Sequence, residues 1–506
     1  MKFFTLSWLK FTLLCALLLT AFNFLLFDYI YQKVNFFEIF YFVCIYFLAL
    51  VVIFSLIFIP YCTKILMSLL YLMTCISVYF MMNFGIVIDS EMIRNIISTN
   101  AKEAMELFNF KMIAFIFCLG IVPSFLLWFI KIDYGSLKSH LKVKISLFFG
   151  SLGIFLLVFF AFSQSLMPFV RNYKEVRVYN VPFYPLYSLG KFFFKEYSLP
   201  KDFEVIAQDA SLDESAESSL MILVIGETAR SANYSLGGYQ GNLTNPYTQN
   251  LEGLLYFEGS SCGTSTAVSL PCMFSPSSRE HFNLNQYQEN VLDVLQRVGV
   301  NVAWYGNNYG GCKGVCDRLE EVKMIQAPYD EVLLESVASK MQNLTKYNLI
   351  VLHLQGSHGP AYYKRYPGNF KKFLPICQTN QLQECSKESI INTYDNTLLY
   401  TDFLLSELIT MLLQSQHSKK ALFYLSDHGE SLGEYGIYLH GMPYGLAPLF
   451  QTTIPIILWS NNANLKNNKS FNLSHDNVFH SLLGFFDVQT QDYSKEMDIF
   501  NIFRTP

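Results

Sequence analysis

Five apolar stretches occupy the first 168 residues, and each is about as long as a membrane-spanning helix. They lie at about residues 11–31, 39–59, 65–88, 112–130 and 145–167. A helix needs ~20 apolar residues to cross the ~30 Å hydrocarbon core of a bilayer. The first stretch follows two lysines, as in a signal peptide, but no small-x-small cleavage site follows it and a second stretch begins almost at once. The sequence therefore predicts an α-helical membrane domain with five spans over residues 1–168.

The basic residues between the spans indicate how the chain is oriented. With a cytoplasmic N-terminus, seven lysines fall in the inner segments and four basic residues in the outer loops, and cytoplasmic segments are typically the more basic. The inner set is Lys2, Lys10, Lys64, Lys131, Lys138, Lys142 and Lys144, and the outer set is Lys33, Arg94, Lys102 and Lys111. Three further basic residues lie just after the fifth span, on the outer side in this orientation, and so argue against it: Arg171, Lys174 and Arg177. Five crossings from a cytoplasmic start place the second half of the chain outside the cytoplasm.

From about residue 200 the sequence has the composition of a soluble protein, with short apolar runs between helical patterns. The runs are Met221–Ile225, Val300–Tyr305, Leu349–Leu354, Leu422–Leu425 and Ile454–Trp459, and the helical patterns include Val291–Val298 and Ser389–Leu413. This alternation predicts an α/β/α domain with a mostly parallel sheet over residues 220–506. Residues 169–219 are interpreted as an interfacial connecting region and linker, and the apolar spacing around residues 92–110 predicts an amphipathic helix. A net charge of −4 gives no electrostatic footprint for nucleic acid.

Six of the eleven cysteines lie in the second half of the chain and fall into three close pairs. They are Cys262, Cys272, Cys312, Cys316, Cys377 and Cys385. Close pairs are typical of disulfides in an oxidising compartment, although six cysteines permit fifteen connectivities. A zinc site is the alternative, but the segment from Cys312 to Cys316 has no second pair of cysteines or histidines at zinc-finger spacing. We therefore expect disulfides, with pairing between neighbours as a hypothesis.

Ligand-type side chains follow three of the apolar runs. Glu227 comes directly after the first run, His358 follows the third, and Asp427 and His428 follow the fourth. Open α/β sheets bind their ligands outside the carboxyl ends of their strands, so these side chains are expected to meet at one edge. Carboxylates and imidazoles are the ligands expected of zinc or a similar divalent ion. The sequence predicts a metal site there, with His440 as a further candidate.

A cluster of hydroxyl side chains between residues 260 and 272 is the candidate source of a nucleophile. Spacing alone leaves five alternatives open: Ser261, Thr264, Ser265, Thr266 and Ser269. A bound metal lowers the pKa of a hydroxyl as it does that of water, so no neighbouring general base is needed. A helix that begins near Thr266 would also direct its N-terminal dipole at a phosphoryl group. The structural alternative is a Ser/Thr-rich turn closed by a disulfide.

Five motifs stand out in this half of the chain. They are Gly226-Glu-Thr-Ala-Arg230, Ser261-Cys-Gly-Thr-Ser-Thr-Ala267, Gly356-Ser-His-Gly-Pro360, Asn392-Thr-Tyr-Asp-Asn396 and Ser426-Asp-His-Gly-Glu-Ser-Leu-Gly433. These motifs resemble those of the lipid A phosphoethanolamine transferases, a family that includes the mobile colistin-resistance enzymes and belongs to the alkaline phosphatase and sulfatase superfamily. The resemblance covers essentially the whole chain. It implies a multi-pass protein of the bacterial inner membrane, with a cytoplasmic N-terminus, five spans and a periplasmic catalytic domain.

The resemblance also implies roles for individual residues. Thr266 matches the nucleophile that becomes phosphoethanolaminated. Glu227, Asp427 and His428 match the zinc ligands that also hold this threonine. One tightly bound Zn²⁺ is therefore expected as the cofactor, and a second Zn²⁺ is left open.

Further residues match positions around the nucleophile. His358 and His440 match residues that bind the substrate phosphate or a second zinc ion. Asn308 and Lys313 fall in a segment that contributes to the substrate pocket in relatives. The six cysteines resemble those of members with bridged neighbours, which implies the pairs Cys262–Cys272, Cys312–Cys316 and Cys377–Cys385.

The implied reaction is a ping-pong transfer. Thr266 attacks the phosphorus of phosphatidylethanolamine and releases diacylglycerol, and lipid A or another envelope glycan then takes the phosphoethanolamine. The added cation lowers the attraction of the envelope for cationic peptides, which suggests polymyxin resistance. We expect a monomer that binds membrane lipids and no nucleic acid. The alternatives are a phosphoglycerol transferase of the lipoteichoic-acid-synthase type and a catalytically silent envelope-binding protein, while a sulfatase would need a Cys-x-Pro-x-Arg motif that the sequence lacks.

Overall fold

The computed structural model describes residues 4–99, 101–196, 202–213, 215–462 and 471–504. Lys2, the side chain of Lys102, and residues 197–201 and Glu214 of the predicted connecting region lie outside this part. The chain divides into two compact units: one comprises Met1–Ser90 and Phe108–Lys191, and the other comprises Glu91–Leu107 and Phe192–Pro506. The segment boundaries predicted at residues 168 and 219 stay predictions.

The first unit consists mainly of helices. Among the described residues, four helices are long and apolar enough to cross a membrane: Phe36–Ile57, Thr63–Phe84, Phe110–Trp128 and Leu137–Ala161. Two shorter helices, Trp8–Phe22 and Phe24–Tyr31, pass the same test only as a pair and meet at 54°. Counting this pair as one broken span gives the five predicted spans. The remaining elements are the helix Ser163–Asn172, the 3-10 helix Lys174–Tyr179, and the parallel strand pair Phe4–Ser7 and Ile130–Asp133. The helix Phe183–Glu196 begins in this unit, and its residues from Phe192 onward belong to the second.

The break in the first span lies at Asn23, whose side chain bonds two backbone segments. Its Nδ2 donates to the carbonyls of Leu19 at 2.9 Å and Val181 at 2.7 Å, and its Oδ1 accepts from the N–H of Val181 at 3.0 Å. Helices kink where a side chain interferes with the ladder of backbone hydrogen bonds. The span predicted over residues 11–31 is therefore bent at this residue.

Large apolar side chains cover the outside of the helical unit. In the helix Leu137–Ala161, for example, Phe149, Leu157 and Phe160 are 64%, 69% and 68% exposed. A helix that is apolar all round lies either in a protein core or in a membrane. Since these side chains are not covered by protein, the surface of this unit is suited to the hydrocarbon of a bilayer.

An eight-stranded sheet forms the centre of the second unit, and its strands are numbered β1–β8 along the chain. They are β1 Ser219–Gly226, β2 Leu254–Ser260, β3 Asn301–Gly306, β4 Glu321–Met324, β5 Tyr347–His353, β6 Lys419–Ser426, β7 Thr453–Ser460 and β8 Leu473–Ser474. Their order across the sheet is β8-β2-β7-β6-β1-β5-β3-β4. Within it, β7 runs antiparallel to both neighbours and the other pairs are parallel. The predicted mostly parallel sheet is confirmed.

Helices cover this sheet, as the alternation of patterns predicts. Strands β1 and β5 are buried at every position, which explains why both appear in the sequence as continuous apolar runs. The helices are Thr266–Met273, Val291–Arg297, Val332–Lys340, Lys387–Gln414, Leu449–Thr452, Asp476–Phe485 and Ile499–Ile502. Two antiparallel strand pairs lie outside the main sheet: Ser211–Leu212 with Val488–Gln489, and Ser431–Leu432 with Tyr438–Leu439.

Three disulfides link neighbouring cysteines of this unit: Cys262–Cys272, Cys312–Cys316 and Cys377–Cys385. The sulfur atoms of the middle pair are therefore not available to a zinc ion. The predicted amphipathic helix around residues 92–110 is instead two helices, Ser90–Ser98 and Ala101–Leu107. Thr99, just after the first of them, donates through Oγ1 to the carbonyl of Asn95 at 2.6 Å and so gives one of the last carbonyls of that helix a partner.

Candidate active site

The carboxyl ends of the parallel strands meet at one edge of the sheet, and the predicted site residues follow them. Glu227 follows β1, His358 lies in the loop after β5, and Asp427 and His428 follow β6. Ligand atoms of Glu227, Asp427 and His428 lie within 4.8 Å of one another, and all three residues are buried. The structure thus brings these three predicted ligands into one cluster.

Two atoms of the cluster are buried and have no hydrogen-bond partner among the described residues, namely Asp427 Oδ2 and His428 Nε2. They lie 3.3 Å apart, and His428 Nε2 lies 3.5 Å from Glu227 Oε1. His428 Nδ1 donates to the carbonyl of Gly429 at 2.9 Å, so Nε2 of the neutral ring carries a lone pair. Buried acceptors without a donor are unfavourable unless a cation compensates them. Two carboxylates and an imidazole lone pair therefore fit a divalent cation such as Zn²⁺.

Thr266 is the hydroxyl residue that faces this cluster. Its Oγ1 lies 3.2 Å from each carboxylate oxygen of Glu227, and it is the first residue of the helix Thr266–Met273. The other four hydroxyl residues of the cluster are buried, and three of them hydrogen-bond backbone groups. Ser261 donates to the carbonyl of Gly263, Thr264 donates to the carbonyl of Met442, and Ser269 accepts from the N–H of Gly263. Ser265 is the N-cap residue of the helix. Among these five residues, Thr266 combines contact with Glu227 and partial exposure.

His440 and His358 lie beside the cluster. The ring centroids of His440 and His428 are 4.3 Å apart, and those of His358 and His440 are 5.6 Å apart. His440 Nδ1 lies 2.8 Å from Glu430 Oε2, and Oε1 of the same carboxylate accepts from the Tyr362 hydroxyl at 2.6 Å. Burial, together with the neighbouring histidines, holds the pKa of His358 well below its usual range. His428, Glu430 and His440 form a second group of ligand-type atoms within 4.8 Å of one another, a set of ligands that suits a cation.

Asn308 and Lys313 occupy different surroundings. Asn308 is buried and its Nδ2 donates to Glu227 Oε2 at 2.7 Å, so it orients that carboxylate. Lys313 lines a cavity of about 370 Å³ that also reaches Ala267, the residue after Thr266. The structure therefore brings Asn308 into direct contact with the cluster and places Lys313 in the wall of the adjacent cavity.

Asp330 organises the site although no sequence motif indicates it. Its carboxylate accepts from the backbone N–H groups of Gln355 and Gly356 and from Asn307 Nδ2, each at 2.9 Å. Burial raises the pKa of Asp330, and these three donors oppose that shift. Asp330 thereby ties the loop after β5 to the loop after β3.

His475, directly after β8, links two further loops. Its Nδ1 accepts from the backbone N–H of Cys262 at 3.0 Å, and its Nε2 donates to the carbonyl of Ser426 at 2.8 Å. Burial lowers the pKa of His475 to about 4, so the ring is neutral and has one donor and one acceptor. The strand before it has two residues, which is too short to be recognised as a strand in the sequence.

Both halves of the chain are similar to known proteins. Residues 219–488 match the Sulfatase family model, and residues 46–197 match the model described as phosphoethanolamine transferase EptA/EptB. Over 455 residues the chain is 39% identical to phosphoethanolamine transferase EptA of Escherichia coli K12. The match covers 83% of this chain and 82% of the relative. The chain is 37% identical over 469 residues to phosphatidylethanolamine transferase Mcr-1 of Escherichia coli, with 87% and 86% covered.

One solved structure resembles the chain as a whole. It is the integral membrane lipooligosaccharide phosphoethanolamine transferase A of Neisseria meningitidis, with a TM-score of 0.92 and 30% sequence identity. The match covers 99% of this chain and 100% of that one. The similarity therefore extends over the helical unit and the sheet-containing unit.

Proposed function

The chain belongs to the phosphoethanolamine transferase family, and we propose that it carries out its transfer with one zinc ion and with Thr266 as the nucleophile. The observation that carries this proposal is the 3.2 Å approach of Thr266 Oγ1 to both carboxylate oxygens of Glu227. Beside this contact lie Asp427 Oδ2 and His428 Nε2, which have no hydrogen-bond partner in the described part of the chain. A hydroxyl and three ligand-type side chains therefore surround one position that suits a divalent cation.

Each residue of the site has a role in the proposed reaction. Glu227, Asp427 and His428 hold the zinc ion, which when bound lowers the pKa of a coordinated hydroxyl and stabilises charge on phosphoryl oxygens. Thr266 Oγ loses its proton to solvent and attacks the donor phosphorus; the bond from phosphorus to the diacylglycerol oxygen breaks, and that oxygen takes up a proton. An acceptor oxygen then attacks the same phosphorus, the bond to Thr266 Oγ breaks, and the threonine regains its proton. The backbone N–H groups at the start of the helix Thr266–Met273 favour a negatively charged phosphoryl group at this position.

Further residues orient this arrangement. Asn308 fixes the carboxylate of Glu227 through its 2.7 Å hydrogen bond. His358 and His440 bind the phosphoryl oxygens, with a second zinc ion at this position as the alternative. Lys313, in the wall of the cavity beside Ala267, contributes positive charge near the donor headgroup.

We infer the substrates from the names of the relatives. Mcr-1 is named for phosphatidylethanolamine and the Neisseria meningitidis protein for lipooligosaccharide. Phosphatidylethanolamine is thus the proposed donor, and lipid A or another envelope glycan is the proposed acceptor, with polymyxin resistance as a consequence. The candidate membrane helices support lipid substrates, because acyl chains are costly to extract from a bilayer. The three disulfides support a periplasmic catalytic unit, because disulfides persist in oxidising compartments. We further propose that the protein is a monomer in the inner membrane and that its N-terminus is cytoplasmic.

Thr266→Val tests the nucleophile in the full-length protein. Valine keeps the branched shape of threonine and removes the hydroxyl, whereas Thr266→Ser, the matched control, keeps a hydroxyl. With labelled phosphatidylethanolamine in vesicles, we expect the valine variant to lose at least ~1,000-fold in diacylglycerol release, the order seen when a nucleophile is removed. Intact mass should show a phosphoethanolamine adduct on the serine variant and none on the valine variant. Substantial transfer by a valine variant with normal zinc content would refute the assignment.

Zinc removal tests the metal. Dialysis of the full-length protein against a chelator should abolish transfer, and added Zn²⁺ should restore it. Full activity in a rigorously metal-free preparation would overturn the proposed zinc dependence. Mass spectrometry of lipid A and core from a strain that lacks the protein identifies the acceptor.

A further inference from the structure

A segment that lies between two apolar helices in the sequence packs against the active-site loops. Residues Glu91–Leu107, called the outer segment below, belong to the same compact unit as the site residues. A Cβ added at Gly441, the neighbour of His440, would lie 2.5 Å from Met92 Cε. The outer segment therefore contacts the backbone beside one of the two histidines proposed to bind the phosphoryl group.

A second contact of the outer segment leads to the other histidine. The side chain of Arg365 is 5% exposed, and its Nε donates to the backbone carbonyl of His358 at 2.7 Å. Its Nη2 donates to Oε2 of Glu106, whose side chain is 17% exposed. The backbone carbonyl of Glu106 accepts in turn from Asn380 Nδ2. A continuous series of hydrogen bonds thus connects Glu106, Arg365 and His358.

We propose that Glu106 is a positioning residue for the transfer reaction and acts on His358 through Arg365. The proposal rests on the proposed function, in which His358 binds the phosphoryl group. A guanidinium that is buried to this degree needs a carboxylate partner, because an unpaired buried charge is strongly unfavourable. Without the carboxylate of Glu106, Arg365 turns toward solvent and releases the carbonyl of His358.

The loop that carries His358 also contacts the proposed metal ligands. The N–H of Ser357 donates to the backbone carbonyl of Glu227 at 3.0 Å, and the ring of His358 lies 5.6 Å from that of His440. A displacement of about 1 Å in such an arrangement costs up to ~100-fold in rate. Glu106 itself bonds residues other than the proposed ligands, so its loss is expected to slow transfer without removing the metal.

Glu106→Gln in the full-length protein tests this role, since glutamine keeps the size of the side chain and removes its charge. We expect kcat for diacylglycerol release to fall ~10- to 100-fold. KM should change by less than about threefold and the zinc content should stay the same, because the interaction acts mainly in the transition state. Glu106→Asp restores the charge and should recover part of kcat. The matched control is Lys364→Met, because Lys364 is half exposed and its Nζ lies 3.8 Å from Glu106 Oε1. Exposed ion pairs contribute little, so this control should keep its kcat.

Arg365→Lys provides a second variant. The two hydrogen bonds of Arg365 come from different nitrogens of a planar fork. A single ammonium nitrogen does not reproduce that geometry, so we expect a loss of kcat similar to that of Glu106→Gln. Because the two residues act in series, the double variant should be no slower than the slower single variant.

Several outcomes would overturn the proposal. A kcat of Glu106→Gln equal to that of the unmodified protein would do so, as would an equal loss in Lys364→Met. A loss of zinc or of thermal stability in proportion to kcat would make the role of Glu106 structural. Failure of the proposed function is visible separately, because Thr266→Val would then still transfer phosphoethanolamine whatever Glu106→Gln does.

Discussion

Replacing Gly356 by alanine places a methyl group against the backbone of a proposed metal ligand. Gly356 has a φ of +52°, in the left-handed region that residues with a Cβ rarely adopt. An added Cβ would lie 2.9 Å from both the backbone nitrogen and the backbone oxygen of Glu227. The loop is held on its other side, since the N–H of Gly356 donates to Asp330 Oδ2 at 2.9 Å. The methyl group therefore fits only if Glu227 moves.

Gly299→Ala separates this steric effect from backbone strain. Gly299 has a φ of +102°, but no atom lies within 4 Å of an added Cβ. The control therefore carries conformational strain of about 1–2 kcal/mol. Gly356→Ala carries similar strain and adds overpacking of about 1–3 kcal/mol. We expect the free energy of unfolding to fall by about 2–5 kcal/mol for Gly356→Ala and by about 1–2 kcal/mol for the control.

Zinc affinity is the sharper measurement, because the displaced residue is a proposed ligand. Changes in the groups that orient metal ligands typically weaken binding ~10- to 100-fold. The full-length variants are titrated with zinc against a competing chelator, and hydrogen exchange at Ser357 reports the loop without any metal. Equal zinc affinities and equal exchange rates in the two variants would refute the reasoning, because the close approach to Glu227 would then have no consequence.

Two further predictions concern the residues that tie the loops together. The pKa of His475 is near 6.5 in the unfolded chain and about 4 in the folded protein. Between these two pH values the unfolded state binds more protons than the folded state. The free energy of unfolding should therefore fall by on the order of 3 kcal/mol as the pH is lowered from 6.5 to 4. His475→Gln should flatten this dependence in pH-dependent unfolding of the full chain, and an unchanged slope would contradict the prediction. In Asp330→Asn, an amide N–H replaces one carboxylate oxygen and faces an N–H group that donates to that oxygen in the unmodified protein. We expect the free energy of unfolding to fall by about 2–4 kcal/mol. Faster hydrogen exchange at Gly356 measures this loss, and wild-type exchange would argue against it.

The ligand cluster could be predicted because its residues follow strands directly. Glu227 and Asp427 come immediately after β1 and β6, which are adjacent and parallel, so the register of the sheet brings the two carboxylates together. Parallel strands end at the same edge, and this rule needs no knowledge of distant contacts. Apolar run, strand end and ligand type are all local features of the sequence.

The residues that orient the cluster could not be predicted in the same way. The contact of Asp330 with Gly356 spans 26 residues, that of His475 with Cys262 spans 213, and that of Glu106 with Arg365 spans 259. In the sequence each of these side chains is a single polar residue with no recurring pattern. Their roles depend on which loops the fold brings into contact, and a window of the sequence does not contain that information.

The choice among the five hydroxyls depends on burial, which spacing does not determine. Ser261, Thr264 and Ser269 lie within a few residues of Thr266, yet Ser261 and Ser269 bond the backbone of Gly263, and Thr264 donates to the carbonyl of Met442, 178 residues away. Similarly, the break of the first span at Asn23 depends on Val181, which lies 158 residues away. Both features are tertiary, because a side chain bonds a backbone group whose position is set by the rest of the fold.

The direction of β7 explains which strand ends carry chemistry. The seven strands that end at the active-site edge are followed by residues of the site or of its supports: Glu227, Ser261, Asn308, Asp330, His358, Asp427 and His475. Strand β7 runs the other way, so its start lies at this edge, where the carbonyl of Thr452 accepts from the N–H of Ser261 at 2.8 Å. The apolar run Ile454–Trp459 is accordingly followed by no ligand-type residue in Ser460–Asn461. The run Val300–Tyr305 also has no carboxylate or imidazole directly after it, although β3 is parallel to both neighbours. The missing ligand-type residue is therefore a consequence of the direction of β7, and the pairing of the strands, which the sequence alone does not show, is what identifies that direction.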